Sequence, residues 1–263
     1  KAAACILALL LCFACSALLY VTKLATSTQK IPDADIKASS NDYLNEATEK
    51  QMDDYWTVAI FGVDSRNGNI GKGTSADTQM LLTLNRANGE IRLVSVYRDT
   101  LLMSNVKEGK CRKINSSDTE GGPEQAVTAL NENLDLKIGD YVSFSWKAAA
   151  DAVNLLGGID MEITKAEYAY INAFITETVD STGIPSVHLT GPGPVHLDGV
   201  QAVAYSRLRL MDTDMNRTER QRKVIEAVLA KLKQADLPTI NRLLAPVLPQ
   251  VATSINAGDF LEM

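Results

Sequence analysis

Residues 2–22, AAACILALLLCFACSALLYVT, carry no charge. About 20 apolar residues at 1.5 Å rise span, as a helix, a hydrocarbon core of about 30 Å. Lys1 and Lys23 bracket the run, and Tyr20 stands where an interfacial aromatic belongs. A cleaved signal peptide has a shorter apolar stretch and ends on a small-residue site, which is lacking here. A lipid-modified Cys15 fits poorly with the Cys12-Phe13-Ala14 before it. The expectation is a retained transmembrane anchor over 1–23, a polar stalk or helical entry over 24–55, and a globular domain over 56–263. One lysine at each end gives no orientation. The chain starts at Lys1 and stops at Met263 in what reads as an opening helix, so a longer parent protein is expected.

Beyond the anchor the chemistry narrows quickly. Cys111 is the one cysteine outside the apolar run, so the body has no disulfide framework, and a lone cysteine reads as a small hydrophobe. His188 and His196 are the two histidines; they build neither a zinc pattern nor a Ser-His-Asp order. Any metal would be held by carboxylates, which favours Mg²⁺ or a similar hard ion. A net charge of -6 provides no global field for nucleic acid, so an anion site must be local.

Strand and helix signals alternate, which predicts an α/β layer architecture. Thr57–Phe61, Met80–Leu84 and Ile91–Val96 read as strands. Asn88-Gly89 reads as a tight hairpin turn with both positions at positive φ, pairing the second and third strands and bringing Asp77 toward Arg98. Helices are expected from Gly122-Pro123 to Leu134, over Lys147–Leu156 and over Val200–Tyr205 with Asp198 as cap. Tyr141–Trp146 and Ile159–Ile163 read as further strands. The strongest helix runs from Asp214 to about Gln234, with the apolar stripe Val224, Ile225, Val228, Leu229 and Leu232.

Two constellations can carry chemistry. Arg207, Arg209, Arg217, Arg220, Arg222 and Lys223 crowd one stretch with Asp212, Asp214 and Glu219. On the long helix Arg217 and Gln221 share a face with Arg220 beside them, and an extended 207–209 would point Arg207 and Arg209 the same way. Guanidinium forks suit phosphate oxygens, yet the same residues could form a solvated face of ion pairs. Asp64 follows one strand and Asp77 precedes the next, so the two could share Mg²⁺, or each could simply cap a turn. Arg98-Asp99-Thr100 is either a salt-bridged turn or a further phosphate contact. Gly71-Lys72-Gly73-Thr74 lacks the spacing of a nucleotide-binding loop.

In this order the motifs resemble the LytR-CpsA-Psr family. The matching blocks are Phe61-Gly-Val-Asp-Ser-Arg66, Ser75-Ala-Asp-Thr78, Leu93-Val-Ser-Val-Tyr-Arg-Asp-Thr100, Lys113-Ile-Asn115 and Gly121-Gly-Pro-Glu124. They continue with Leu156-Gly-Gly-Ile-Asp160, Leu197-Asp-Gly-Val-Gln-Ala202, Tyr205-Ser-Arg-Leu-Arg209 and Asp214-Met-Asn-Arg-Thr-Glu-Arg-Gln221. The resemblance implies a mixed central β-sheet flanked by helices, with a hydrophobic pocket for a prenyl tail. It implies a membrane-anchored phosphotransferase outside the cytoplasm. Such enzymes move a glycopolymer, of wall teichoic acid or capsular polysaccharide type, from undecaprenyl pyrophosphate to the C6 hydroxyl of N-acetylmuramic acid in peptidoglycan. It further implies Asp64 and Asp77 as ligands of Mg²⁺ (or Mn²⁺). Arg98, Arg207, Arg209, Arg217 and Gln221 become the pyrophosphate grip, and Asp99 or Asp214 the base. Two positions depart from the family pattern: Ser75-Ala76 replace an Arg-Ser, and Tyr97 replaces a proline. A non-catalytic envelope regulator that binds the lipid, or a lipid pyrophosphatase, would use the same residues.

Overall fold

The computed structural model describes residues 20, 23, 26–29, 41, 44–65, 70–209 and 213–255. The expected anchor falls outside the described residues except for Tyr20 and Lys23. Among the described residues no helix is long and apolar enough to cross a membrane.

A short helix α1 (Glu46–Met52) leads into β1 (Tyr55–Val63), β2 (Ala76–Asn85) and β3 (Ile91–Ser95). β6 (Asp140–Ser145) and β9 (Val251–Thr253) complete a mixed sheet of order β3-β2-β1-β6-β9, in which β1 and β6 run parallel and the other neighbours antiparallel. β1 lies inside this sheet and is apolar on both faces, as an interior strand must be. The β2–β3 connection is longer than a two-residue turn: Asn85 N–H donates to Glu90 O, and Gly89 alone takes positive φ, at 72°. The left-handed cost is therefore met once, at the residue without a Cβ, and Asn88 is spared it.

Two ribbons sit beside the sheet. β4 (Leu101–Asn105) pairs with β5 (Lys110–Lys113), and β7 (Ile159–Ile163) pairs with β8 (Gly193–Leu197). Helix α2 (Ser116–Leu134) starts earlier than the sequence signal, and its Gly122 departs from helical geometry at φ 74°. Gly122-Pro123 therefore marks a kink where a second helical segment begins, because Pro has no N–H to continue the ladder. Helix α3 (Trp146–Leu155) is capped by Ser145; α4 (Lys165–Thr182) and α5 (Gly199–Arg207) each open with a reciprocal capping box, Thr164/Glu167 and Asp198/Gln201. Helix α6 (Asp214–Gln234) and α7 (Leu237–Val247), capped by Asp236, close the fold.

The two faces of the sheet differ. Ala59, Phe61, Val63 and Leu81 pack against Ala126, Val127 and Leu130 of α2 in a closed core. A second core joins α3, α4, α5 and the β7–β8 ribbon around Val153, Ile171, Ile175, Val203 and Tyr205. Between that core and the sheet lies a cavity of about 620 Å³. Its walls are Val58, Ile60, Leu82, Val142 and Phe144 from the sheet and Val224, Ile225, Val228, Leu229 and Leu232 from α6. The expected apolar stripe of α6 thus exists, but it is only half-buried, because it faces a hollow.

Candidate active site

The carboxyl ends of parallel β1 and β6 point to one edge, where open α/β sheets place their ligands. β2 begins at that edge and β3 ends there, so Asp64, Asp77 and Arg98 leave adjacent strands side by side. Asp64 N–H donates to Ser75 O across the β1–β2 opening. Arg98 Nη1 donates to Asp77 Oδ1, the proximity that the hairpin implied. Arg98 Nε also lies 3.9 Å from Asp99 and 3.9 Å from Asp214. Burial opposes the charge on Arg98, but Asp77, Asp99 and Asp214 outweigh it and raise its pKa.

Helix α6 brings its first turn to the same edge. Asp214 sits in that turn, where the helix dipole favours an acid, and Arg217 follows one turn later with its Nη2 at 2.6 Å from Asp214 Oδ1. Arg217 is only 2% exposed. Burial, and then the nearby charge of Arg98, push its pKa down. Arg98 Nε, Arg217 Nε and Asp214 Oδ2 are all buried without a hydrogen-bond partner. Unmade hydrogen bonds on buried charged groups are costly, so the arrangement is suited to receive a ligand. Gln221, one turn beyond Arg217, is buried and lines the cavity with Thr78 and Ser206. The apolar hollow therefore ends at the arginines.

Arg207 reaches the site by a route that the sequence did not reveal. It closes α5 rather than lying on an extended segment, so the expected parallel aim of Arg207 and Arg209 has no extended strand to rest on. Its guanidinium stacks 3.5 Å above the Trp146 ring and donates to Thr178 Oγ1 and Glu177 Oε1, both at 2.8 Å. Burial lowers its pKa, and the charges of Glu177, Asp64 and Arg209 also act on it. Arg209 is exposed, and its charge acts on Arg217 as well. It thus stands electrostatically between the two groups.

The rest of the basic stretch separates by helix rotation. Arg220 is buried and turned away; its Nη2 donates to Leu208 O at 2.7 Å and its Nη1 lies 3.6 Å from Glu167. Arg222 pairs with Glu219 and Glu226 on the outer face of α6. Lys113, in turn, lies 2.9 Å from Asp99. That contact, with Arg98, holds Asp99 below the usual carboxylate range. Asn115 donates to Ser75, where the family pattern has arginine. Sequence reasoning quoted Lys113 and Trp146 without giving either a role; only the fold puts them beside Asp99 and Arg207. Helix α4, which supplies Glu177 and Thr178, did carry a legible start in its Thr164-x-x-Glu167 box.

Among the described residues no group of three or more His, Cys, Asp or Glu side chains could hold a metal ion. Asp64 and Asp77 give two hard oxygen donors on neighbouring strand ends, which suits an ion that completes its shell with phosphate oxygens and water. His196, bonded to Asp160 and to Gly157 O, and His188, bonded to Thr176, lie on other elements.

The LytR_cpsA_psr family model matches residues 18–263. The polyisoprenyl-teichoic acid–peptidoglycan teichoic acid transferase TagU of Bacillus subtilis (strain 168) is 32% identical over 180 residues, 68% of this chain and 52% of that protein. TagU of Bacillus cereus (strain AH820) is 29% identical over 210 residues, 79% of this chain and 63% of the relative. The chain thus spans less than two thirds of the length of these curated relatives. Among solved structures, the LytR-CPS2A-psr family protein YwtF (TagT) with bound octaprenyl pyrophosphate lipid matches with a TM-score of 0.54 at 25% identity, covering 74% of this chain and 73% of that one.

Proposed function

The chain belongs to the LytR_cpsA_psr family, and from that premise we propose that it is a membrane-anchored, extracytoplasmic glycopolymer phosphotransferase. Its donor is an anionic glycopolymer, of wall teichoic acid or capsular polysaccharide type, carried on undecaprenyl pyrophosphate. Its acceptor is the C6 hydroxyl of peptidoglycan N-acetylmuramic acid. The observation that carries this reading is the junction itself: the buried guanidinium of Arg217 and the half-buried one of Arg98, each with a buried Nε that lacks a hydrogen-bond partner, at the polar end of an aliphatic cavity. A polyprenyl pyrophosphate has that shape and polarity. The names of the relatives, teichoic acid transferases, and of the neighbour that holds octaprenyl pyrophosphate support it.

The chemistry is a displacement at phosphorus. The acceptor oxygen attacks the phosphorus that bears the glycan, and the bond from that phosphorus to the bridging oxygen breaks. The lipid monophosphate leaves with the bond electrons, and a phosphodiester joins glycan to peptidoglycan. Asp214 takes the hydroxyl proton: one of its oxygens is against Arg217 and the other is buried without a partner. Asp99, tied to Lys113 and held ionised, helps to fix Arg98. Arg98, Arg209 and Arg217 neutralise charge on the transferring group, and Gln221 marks where diphosphate gives way to tail. Asp64 and Asp77 would hold Mg²⁺ (or Mn²⁺), which supplies Lewis-acid neutralisation of the diphosphate. Burial of the tail supplies remote binding energy at about 0.8 kcal/mol per CH₂.

The site's own charges cancel: Arg98, Lys113, Arg207, Arg209 and Arg217 face Asp64, Asp77, Asp99, Asp214 and Glu177. A divalent cation and a doubly ionised pyrophosphate together preserve that balance, and either alone upsets it. The deciding experiment incubates the purified chain with Mg²⁺, a lipid-pyrophosphoryl oligosaccharide and peptidoglycan. Lipid phosphate should be released in step with glycan joined to peptidoglycan. Release without transfer would identify a pyrophosphatase, and binding without turnover a regulator; both refute the transferase.

A further inference from the structure

Tyr20 stands near the end of the uncharged run, and Lys23 follows that run. Aromatic and basic residues in that order mark the water interface of a membrane helix. The Tyr20 hydroxyl donates to Asn241 Oδ1 on α7 at 3.1 Å. A few residues later Gln29 N–H donates to Val251 O, at the first residue of β9, at 2.8 Å. The emerging chain is therefore fastened to α7 and β9. Val247 and Val251 of these segments line the cavity, and so does Leu232, which lies about three turns along α6 from Gln221 and hence away from the arginine edge.

The same end of the molecule has an unusual surface. Leu237, at the start of α7, is 75% exposed, although it is a large aliphatic residue on a well-capped helix. Lys233, four residues before it, and Arg242, five after, are exposed, and Lys231 is half-buried. Two acids temper them: Asp236, which caps α7, and Asp160, whose ion pair with His196 lies near enough for Lys231 to act on it. An exposed aliphatic anchor rimmed by basic residues is the pattern of a protein face that rests on anionic headgroups.

We propose that the face formed by the end of α6 and by α7, with Leu237 at its centre, lies on an anionic lipid bilayer where the anchor emerges, so that the far end of the cavity opens toward the lipid. From Gln221 to Leu232 along α6 is about 17 Å at helical rise, so the arginine edge stands about that far above the bilayer on an upright α6. The prenyl tail then runs from the membrane up through the cavity, and the diphosphate is presented to the cell wall rather than to the headgroups. The inference rests on the anchor reading and on the lipid-linked donor proposed above.

The test uses the full chain with its four native cysteines changed to alanine, reconstituted in phosphatidylcholine–phosphatidylglycerol vesicles that contain brominated lipid. A fluorophore on Leu237→Cys should be strongly quenched. One on Leu101→Cys, 72% exposed and near the arginine edge, should not be. Equal quenching at both positions, an unquenched Leu237 label, or protection of that label only by peptidoglycan would overturn the proposal. A second arm follows Leu237→Glu. Turnover should fall about tenfold in vesicles and stay unchanged in a common detergent micelle, where no bilayer must be met. Unchanged turnover in vesicles would overturn the docking face. Absence of turnover by the parent chain in both media would instead count against the transferase reading, with the quenching result still decisive for the face.

Discussion

The two faces of the central sheet are built from similar residues and meet opposite fates. On one, Ala59, Phe61 and Val63 of β1 are sealed against α2 with no exposure at all. On the other, Trp56 and Ile60 of the same strand look across a hollow at Val224, Ile225, Val228 and Leu229, all half-buried. Aliphatic composition is therefore a poor guide to which face stabilises the fold. The difference lies in the elements opposite: α2 packs its Ala126 and Ala129 directly on the sheet, whereas α6 faces it across a hollow that α3 and α5 also line.

Four substitutions test this division. Phe61→Ala, on the closed face, should cost about 3–5 kcal/mol of unfolding free energy in a denaturant titration, since it opens a cavity in a filled core. A cost near zero would mean that this face is no tighter than the other. Arg217→Ala, at the mouth of the open face, should reduce turnover by about 10²–10³-fold without loss of stability, because it removes a buried charge that awaits its ligand. Normal turnover would count heavily against the assigned site.

The closed face also buries a carboxyl group, Asp118, which is fully shielded from solvent with Thr74, among the described residues, as its one polar neighbour of consequence. Burial pushes its pKa up to about 7. The folded state then keeps a proton that the unfolded chain loses near pH 4, so stability falls as pH rises from about 4 to about 7 and is level above that. Asp118→Asn should abolish that slope and raise stability at pH 8 by about 2–4 kcal/mol. An unchanged pH profile in thermal melts would refute the assignment. The smallest effect is expected from Val228→Trp, which fills the open face. The KM for lipid-linked donor should rise about tenfold, with unfolding free energy altered by no more than about 1 kcal/mol.

Much of this was legible before the fold was known. The β1–β3 hairpin set, the α6 stripe and the Asp77–Arg98 approach follow from periodicity and turn signals. Residues whose meaning depends on a tertiary partner were not legible. Helix α4 hid because its inward row mixes Ile171 and Ile175 with Glu167, Thr178 and Thr182, so no clean apolar stripe appears. The β4–β5 ribbon hid because β5 is wholly exposed and the inward row of β4 ends on Ser104 while Leu101 and Met103 face out, so its apolar pattern misleads. Arg217 and Arg220 are identical in type and three residues apart, yet one faces the site and the other Leu208 O. Helix phase alone does not say what stands opposite each.

Arg220 carries a wider lesson. With its fork bridging Glu167 and the Leu208 carbonyl, it fastens the passage between α5 and α6 on which Arg209 rides. Lysine, a single point charge on a flexible stem, could not span the two acceptors at once. Part of the arginine content of this stretch is thus joinery, and a tally of its positive charges overstates how much phosphate the protein can grasp.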